Sequence, residues 1–180
     1  MNRYEGLQGD QSLIDLFNKL NSLKEQIDIL LKESFDRALP FPDVLFDRWQ
    51  RATKLGFGRG TSIYDSSYIF GKVHVGENTW IGPFTILDGS GGLRIGNNCS
   101  ISAGVQIYTH DTVNWAVTGG VAPYDYAETS IGNNCYIAPN CIISKGVHID
   151  NNCIIGANSF VNASFPAYSK LAGNPAKLIS

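Results

Sequence analysis

No apolar stretch in these 180 residues approaches the ~18 that a membrane-spanning helix needs, and the N-terminus lacks the layout of a secretion signal. A cytoplasmic protein with no membrane partner is the expectation. There is no basic run either. With 14 Lys and Arg against 16 Asp and Glu, the formal charge is −2, which argues against nucleic acid as a partner. The four cysteines, at 99, 135, 141 and 153, form no C-x-x-C pair, so the usual spacing of a metal cluster is missing. Histidine is scarce, with only His74, His110 and His148. A chain of this length accommodates one domain with a sizeable core plus an appendage.

The C-terminal half also lacks the period of an α-helix or a simple strand. Over residues 131–161 an aliphatic side chain returns at every sixth place: Ile131, Ile137, Ile143, Ile149, Ile155 and Val161. A six-residue period is the mark of a stacked array. The place after the aliphatic is mostly Gly, Ala or Asp, and the fifth place is mostly small, as at Cys135, Cys141, Cys153 and Ser159. The aliphatic fills the interior of a flat rung, the small residue clears its corner, and backbone groups pair with the rungs above and below. All four cysteines occupy that fifth place, where free Cys behaves as a small hydrophobe.

Upstream, Ile95, Ile101 and Ile107 are in phase with Ile131, and Ile63, Ile69, Val75, Ile81 and Leu87 form an earlier series. The jump from Leu87 to Ile95 places two extra residues near 88–93, and an excursion occupies 111–130. Interruptions of a solenoid are where function concentrates. Before the solenoid, Asp10 is a candidate N-cap for a helix over about 11–35, after a loose stretch at 1–9. Leu13, Leu16, Leu20, Leu23, Ile27 and Leu30 form a heptad seam, with Asp15–Lys19 and Asp28–Lys32 as i,i+4 pairs. That seam predicts a helix packed on its own domain or on a neighbour's. A second helix is predicted from Asp43 to Leu55, with Gly56 as its cap. The division is thus a helical region at 1–58 and a solenoid at 59–180, whose rungs end near Ala167 and whose tail runs over 168–180.

The hexads, with the run Ile86-Leu87-Asp88-Gly89, then Ile95-Gly96-Asn97-Asn98, then Val105-Gln106-Ile107-Tyr108-Thr109-His110, resemble the hexapeptide-repeat acyltransferases, most of all their maltose- and galactoside-type sugar O-acetyltransferases. The ending Leu171-Ala172-Gly173-Asn174-Pro175-Ala176-Lys177 is similar to that family's closing motif. The likeness covers about 60–180; the N-terminal part does not look like the cap of maltose-type enzymes, which leaves room for relatives that act on nucleotide-linked amino sugars. The resemblance implies a left-handed parallel β-helix, a homotrimer with sites between neighbouring β-helices, an acetyl-CoA or other acyl-CoA donor, a sugar or nucleotide-sugar acceptor, and no metal. Direct transfer needs a base, a group that orients the acceptor, and donors for the oxyanion.

By the same resemblance His110 is the general base and Asp88 the carboxylate that binds the acceptor. Asp111, next to His110 in sequence, is a secondary candidate, for orienting the imidazole. Trp115, Tyr124 and Tyr126 lie in the excursion, where they either line the acceptor cleft or anchor the loop on a neighbour. Ala138, Gly156 and Ala157 match places where backbone amides approach the pantetheine, and Lys177 matches a cation near the coenzyme phosphates. Pro139 departs from the family, because proline has no N–H for the thioester carbonyl. Ala163 and Ser180 stand where relatives often carry Lys and Arg, and Lys170 is the candidate to compensate.

Two other functions compete. A zinc hydratase on the same fold needs three histidines from adjacent subunits. His74 and His148 occupy the sixth hexad place, His110 the fourth, and Trp115 stands where the third ligand would fall, so that reading is rejected. A non-catalytic trimeric scaffold, with the N-terminal helix as docking element, is opposed by the closing motif and His110.

Overall fold

The computed structural model describes residues 10–179; the stretch 1–9 and Ser180 lie outside the described residues. Two compact units divide between Asp47 and Arg48. In the first, α1 runs over Gln11–Phe35, and the Asp10 carboxylate accepts from the N–H groups of Ser12 and Leu13, two of the donors a helix start leaves unpaired. Its ion pairs differ from those expected. Asp28 pairs with Lys24, Lys32 with Asp36, and Asp15 accepts from Gln11. A short α2 follows at Phe41–Leu45, with Pro42 in its first turn, where a missing N–H costs nothing.

The single helix expected over 43–55 is in fact two. Phe46 is extended (φ −113°, ψ 124°) and ends α2, and α3 starts at Arg48 and runs to Lys54. The unit boundary accordingly lies before α3, upstream of the 58/59 division. The reason is Arg51, which donates to the carbonyls of Tyr64 and Ser67 and pairs with Asp65, tying α3 to the first rung. Gly56 (φ +74°) closes α3 as expected, with Phe57 N–H donating back to the Ala52 carbonyl.

The rest is a parallel β-solenoid of about six turns. On one face Ser62–Ile63, Trp80–Ile81, Ser100–Ile101, Tyr136–Ile137, Ile154–Ile155 and Lys170–Ala172 stack in parallel register. Ile63 pairs with Ile81 and Ile137 with Ile155, each across eighteen residues, or three hexads per turn. The hexad aliphatics form three interior columns. Ile63, Ile81, Ile101, Ile137, Ile155 and Leu171 make the first, and Leu87, Ile107, Ile143 and Val161 belong to the second; all are fully buried. Val75, Ile95, Ile131 and Ile149 belong to the third. Each such burial contributes roughly 1.5–3 kcal/mol.

The fifth place is more than small. Thr61, Thr79, Cys99, Cys135 and Cys153 each donate their side-chain hydrogen to a carbonyl of the next rung, at Gly76, Gly96, Gly132, Asp150 and Pro166 respectively. Each of these buried side chains thereby ties its corner to the next rung, a bond that a hydrophobe of the same size could not make. Six corners that need a left-handed residue carry Asn, at 78, 98, 134, 140, 152 and 158, because its side chain bonds locally and tolerates that conformation; Gly60, Gly104 and Gly146 serve others, and Phe84 and Tyr168 adopt it despite their bulk.

The solenoid does not stop near Ala167. Leu171, within the closing motif, is core, and Lys170–Ala172 pairs with the Ile154–Ile155 rung before Lys177–Leu178 folds back antiparallel upon it. The two extra residues near 88–93 are real: Gly71 pairs with Gly89, but Val73 next pairs with Leu93. Here the strands Tyr68–Val75 and Ile86–Ile95 run on round the corner where other rungs turn sharply.

Candidate active site

The long excursion leaves the solenoid at Thr109 and returns at Ala127, whose N–H donates to the Thr109 carbonyl at 2.9 Å. Its stem is a two-pair antiparallel ladder, His110 opposite Tyr126 and Asp111 opposite Asp125. The bulged corner lies beneath this stem. Because Leu87 pairs with Ile107, Asp88 falls beside the start of the stem, and its Oδ2 is 2.6 Å from His110 Nδ1. Gly91 makes the approach possible: a Cβ there would lie 2.4 Å from the Thr109 carbonyl oxygen.

Asp88 is buried and surrounded by donors. Oδ1 accepts from the Ser90 N–H and hydroxyl, and Oδ2 from the Thr109 N–H and hydroxyl as well as facing His110. Burial alone would raise its pKa. The bonds from the Ser90 hydroxyl, the Thr109 N–H, His110 and the Ser90 N–H outweigh burial and hold the carboxyl well below the usual range. An ionised Asp88 can only accept, so the ring proton of neutral His110 sits on Nδ1 and Nε2 keeps its lone pair. This revises the placement of Asp88. Both oxygens are committed to the chain, so it stands behind the imidazole and not at an acceptor.

Asp111 does not orient the ring. Its carboxylate accepts from Val113 N–H and pairs with Lys145 Nζ at 3.1 Å; that backbone bond, then Lys145, lowers its pKa. Lys145 also pairs with Asp125, and this contact foremost raises the pKa of the amine. Tyr126 lies nearly flat on the His110 ring, with centroids 5.7 Å apart and planes at 25°. Tyr124 is 6.5 Å from the same ring and meets Trp115 edge-on at 5.7 Å. Tyr124 and Tyr126 therefore lie beside His110, with Trp115 packed on Tyr124, and none of the three is among the residues that wall the cleft onto which His110 opens. α4, Val113–Val117, holds Trp115.

His110 opens onto a cleft of about 520 Å³ walled by Tyr108, Val113, Ile142, Ser144, Lys145 and Phe160. That is the size of a small-molecule site. The closing turn abuts it, since Phe160 N–H donates to the Gly173 carbonyl and the Phe160 carbonyl accepts from Ala176. Lys170 and Lys177 lie on the hairpin of the tail, where Ala172 pairs with Lys177, so both lysines stand on one face of it and are exposed. The small residues are used differently from expectation. Ala138 and Gly156 N–H groups already donate to the Ile155 and Leu171 carbonyls, and a Cβ on Gly156 would crowd Ala172 at 3.1 Å. They cannot offer amides to a ligand; Ala157 is exposed. Among the described residues, no group of three or more His, Cys, Asp or Glu could hold a metal, and no helix is long and apolar enough to cross a membrane.

Residues 128–163 match the family model described as bacterial transferase hexapeptide (six repeats), and residues 72–109 match the hexapeptide repeat of succinyl-transferase. The two matches lie within the solenoid and each spans about a fifth of the chain. The chain is 27% identical over 125 residues to a galactoside O-acetyltransferase of Escherichia coli (strain K12), covering 58% of itself and 62% of that protein. It is 30% identical over 118 residues to a serine acetyltransferase of Staphylococcus aureus (strain Mu50 / ATCC 700699), covering 66% of itself and 54% of the relative. It thus spans between half and two thirds of these curated relatives. Two solved structures share its fold. A maltose O-acetyltransferase from Clostridium difficile 630 has a TM-score of 0.66 at 24% identity, over 94% of this chain and 88% of that one. A point mutant of AntD, an N-acyltransferase from Bacillus cereus in complex with dTDP and coenzyme A, has a TM-score of 0.63 at 24% identity, over 69% of this chain and 71% of that one.

Proposed function

We propose that the chain is an acyltransferase that moves an acetyl or other short acyl group from acyl-CoA to a hydroxyl or amine of a sugar, most simply a nucleotide-linked one. The observation that carries this reading is the His110–Asp88 pair at the mouth of an open cleft. His110 Nε2 takes the acceptor proton as the acceptor oxygen or nitrogen attacks the thioester carbonyl carbon. The C–S bond breaks and the departing sulfur receives the proton from the imidazolium, so no acyl-enzyme forms. Asp88 keeps the ring in the required tautomer and stabilises the imidazolium. Tyr124, beside the base, and Trp115, packed edge-on against Tyr124, supply stacking surface for a sugar or a base. The exposed Lys170 and Lys177 hold the coenzyme phosphates, with Ala157 leaving the pantetheine path clear.

The relatives support the reading: one acts on a galactoside, and the AntD structure holds dTDP with coenzyme A. We further propose a homotrimer, supported by the exposed Tyr68, Phe70 and Phe84. Sedimentation as a monomer at micromolar concentration would refute the trimer. The function is tested by thiol release from acetyl-CoA across sugars and nucleotide-linked amino sugars, with L-serine included because one relative is a serine acetyltransferase. Acceptor-dependent turnover on a sugar, lost in His110→Ala, is expected. Turnover on serine alone, or none, would refute the sugar assignment.

A further inference from the structure

The stem of the excursion contains a conflict that one residue resolves. Asp111 and Asp125 stand directly opposite each other in the two-pair ladder, and like charges so placed push strands apart. Lys145 reaches between them and pairs with both carboxylates. It comes from a different part of the chain, a turn of the neighbouring rung. That turn is well held: Ser144 N–H donates to the Val161 carbonyl at 2.9 Å, and Gly146 N–H to the Thr129 hydroxyl at 3.1 Å. Beyond the stem the excursion is held by the Trp115–Tyr124 ring contact and the bonds of the Thr118 hydroxyl, while Val113, Val117 and Val121 are all mainly exposed (60%, 77% and 84%). The neighbouring pair in the ladder is His110 with Tyr126, whose rings stack.

We propose that Lys145 is a positioning residue of the His110 site: by bridging Asp111 and Asp125 it closes the stem and keeps Tyr126 flat against the His110 ring. This rests on His110 being the base. The imidazole is then held at its Nδ1 edge by Asp88 and on one face by Tyr126, which leaves Nε2 a narrow range of directions. Without the ammonium, the two carboxylates repel, the two-pair stem opens, and the ring loses its flat support. The cost falls on orientation, so it should appear in kcat and not in affinity for the acyl-CoA.

The test uses the full chain with Lys145→Met, Lys145→Arg and the double variant Lys145→Met/Asp125→Asn. Amide exchange over 110–127 reports on the stem, and steady-state rates report on the site. Lys145→Met should speed exchange at the stem and lower kcat about 10- to 100-fold, with KM for the acyl-CoA within about twofold. Lys145→Arg should restore both. Asp125→Asn in the Lys145→Met background should recover part of each, because it removes the repulsion; a merely structural lysine would give no such recovery. Unchanged stem exchange in Lys145→Met overturns the bridge, and faster exchange with unaltered kcat overturns the positioning role. The reading of His110 fails separately: an active His110→Ala would sink the base assignment while leaving the exchange result to judge the bridge.

Discussion

Replacing Asp88 by Asn keeps the shape and exchanges one acceptor oxygen for an NH2, and the surroundings of that carboxylate set the cost. Five donors face it: Ser90 N–H at 3.0 Å, Ser90 hydroxyl at 2.6 Å, Thr109 N–H at 2.9 Å, Thr109 hydroxyl at 3.2 Å and His110 Nδ1 at 2.6 Å. Whichever way the amide lies, its NH2 meets a backbone N–H, of Thr109 or of Ser90. One buried donor therefore loses its partner, at about 1–3 kcal/mol of stability. If the amide oxygen faces His110, the imidazolium still loses its counter-charge. Exchanging a charge-assisted bond for a neutral one costs about 1–2 kcal/mol, roughly tenfold in rate. If the NH2 faces His110, the ring proton is driven to Nε2 and the base disappears, so the loss approaches about 10²–10⁴. Asp88→Asn should thus lower kcat at least about tenfold in a thiol-release assay, with KM for the acyl-CoA within about twofold. The sign of the acid response also follows. Asp88 has a depressed folded pKa, so its contribution is present above the ordinary value of 3.8 and is lost as pH falls toward the folded value. The stability gap between wild type and Asp88→Asn, measured by urea denaturation, should narrow on going from about pH 6 to about pH 3. A variant that keeps its kcat, or that loses only acceptor KM, would refute the argument and return Asp88 to an acceptor-binding role.

His110→Ala should lower kcat by roughly 10²–10⁴ while acyl-CoA affinity and assembly survive; retention of more than about a tenth of the activity in folded protein would place the base elsewhere. Lys177→Ala should raise KM for the acyl-CoA with kcat nearly intact, and removing the coenzyme 3′-phosphate should shrink that effect; full additivity would exclude the phosphate contact. Gly91→Ala should destabilise by about 1–3 kcal/mol and lower kcat, because a Cβ 2.4 Å from the Thr109 carbonyl pushes on the residue before His110; unchanged urea stability would show that the corner has room to spare.

The six-residue period of Ile and Val determined the stacked solenoid and the phase of its rungs from Ile63 to Val161, because a rung's interior position is a local property of where a side chain falls on a repeating turn. The jump from Leu87 to Ile95 likewise disclosed the bulged corner, and the broken repeat after His110 disclosed the excursion. The roles within the site depended on which rungs became neighbours. Asp88 and His110 are 22 residues apart, and whether that carboxylate faces a ligand or the imidazole depends on a corner that only stacked strands define. Lys145 carries no local mark, since its meaning lies in two aspartates brought opposite each other by the returning stem. The small fifth place read as simple clearance for the same reason: the carbonyls that Thr79 and Cys99 satisfy belong to the next turn of the solenoid. Lys170–Ala172 read as a tail because its rung is short of a full turn, and only its pairing with Ile154–Ile155 shows that Leu171 closes the first interior column.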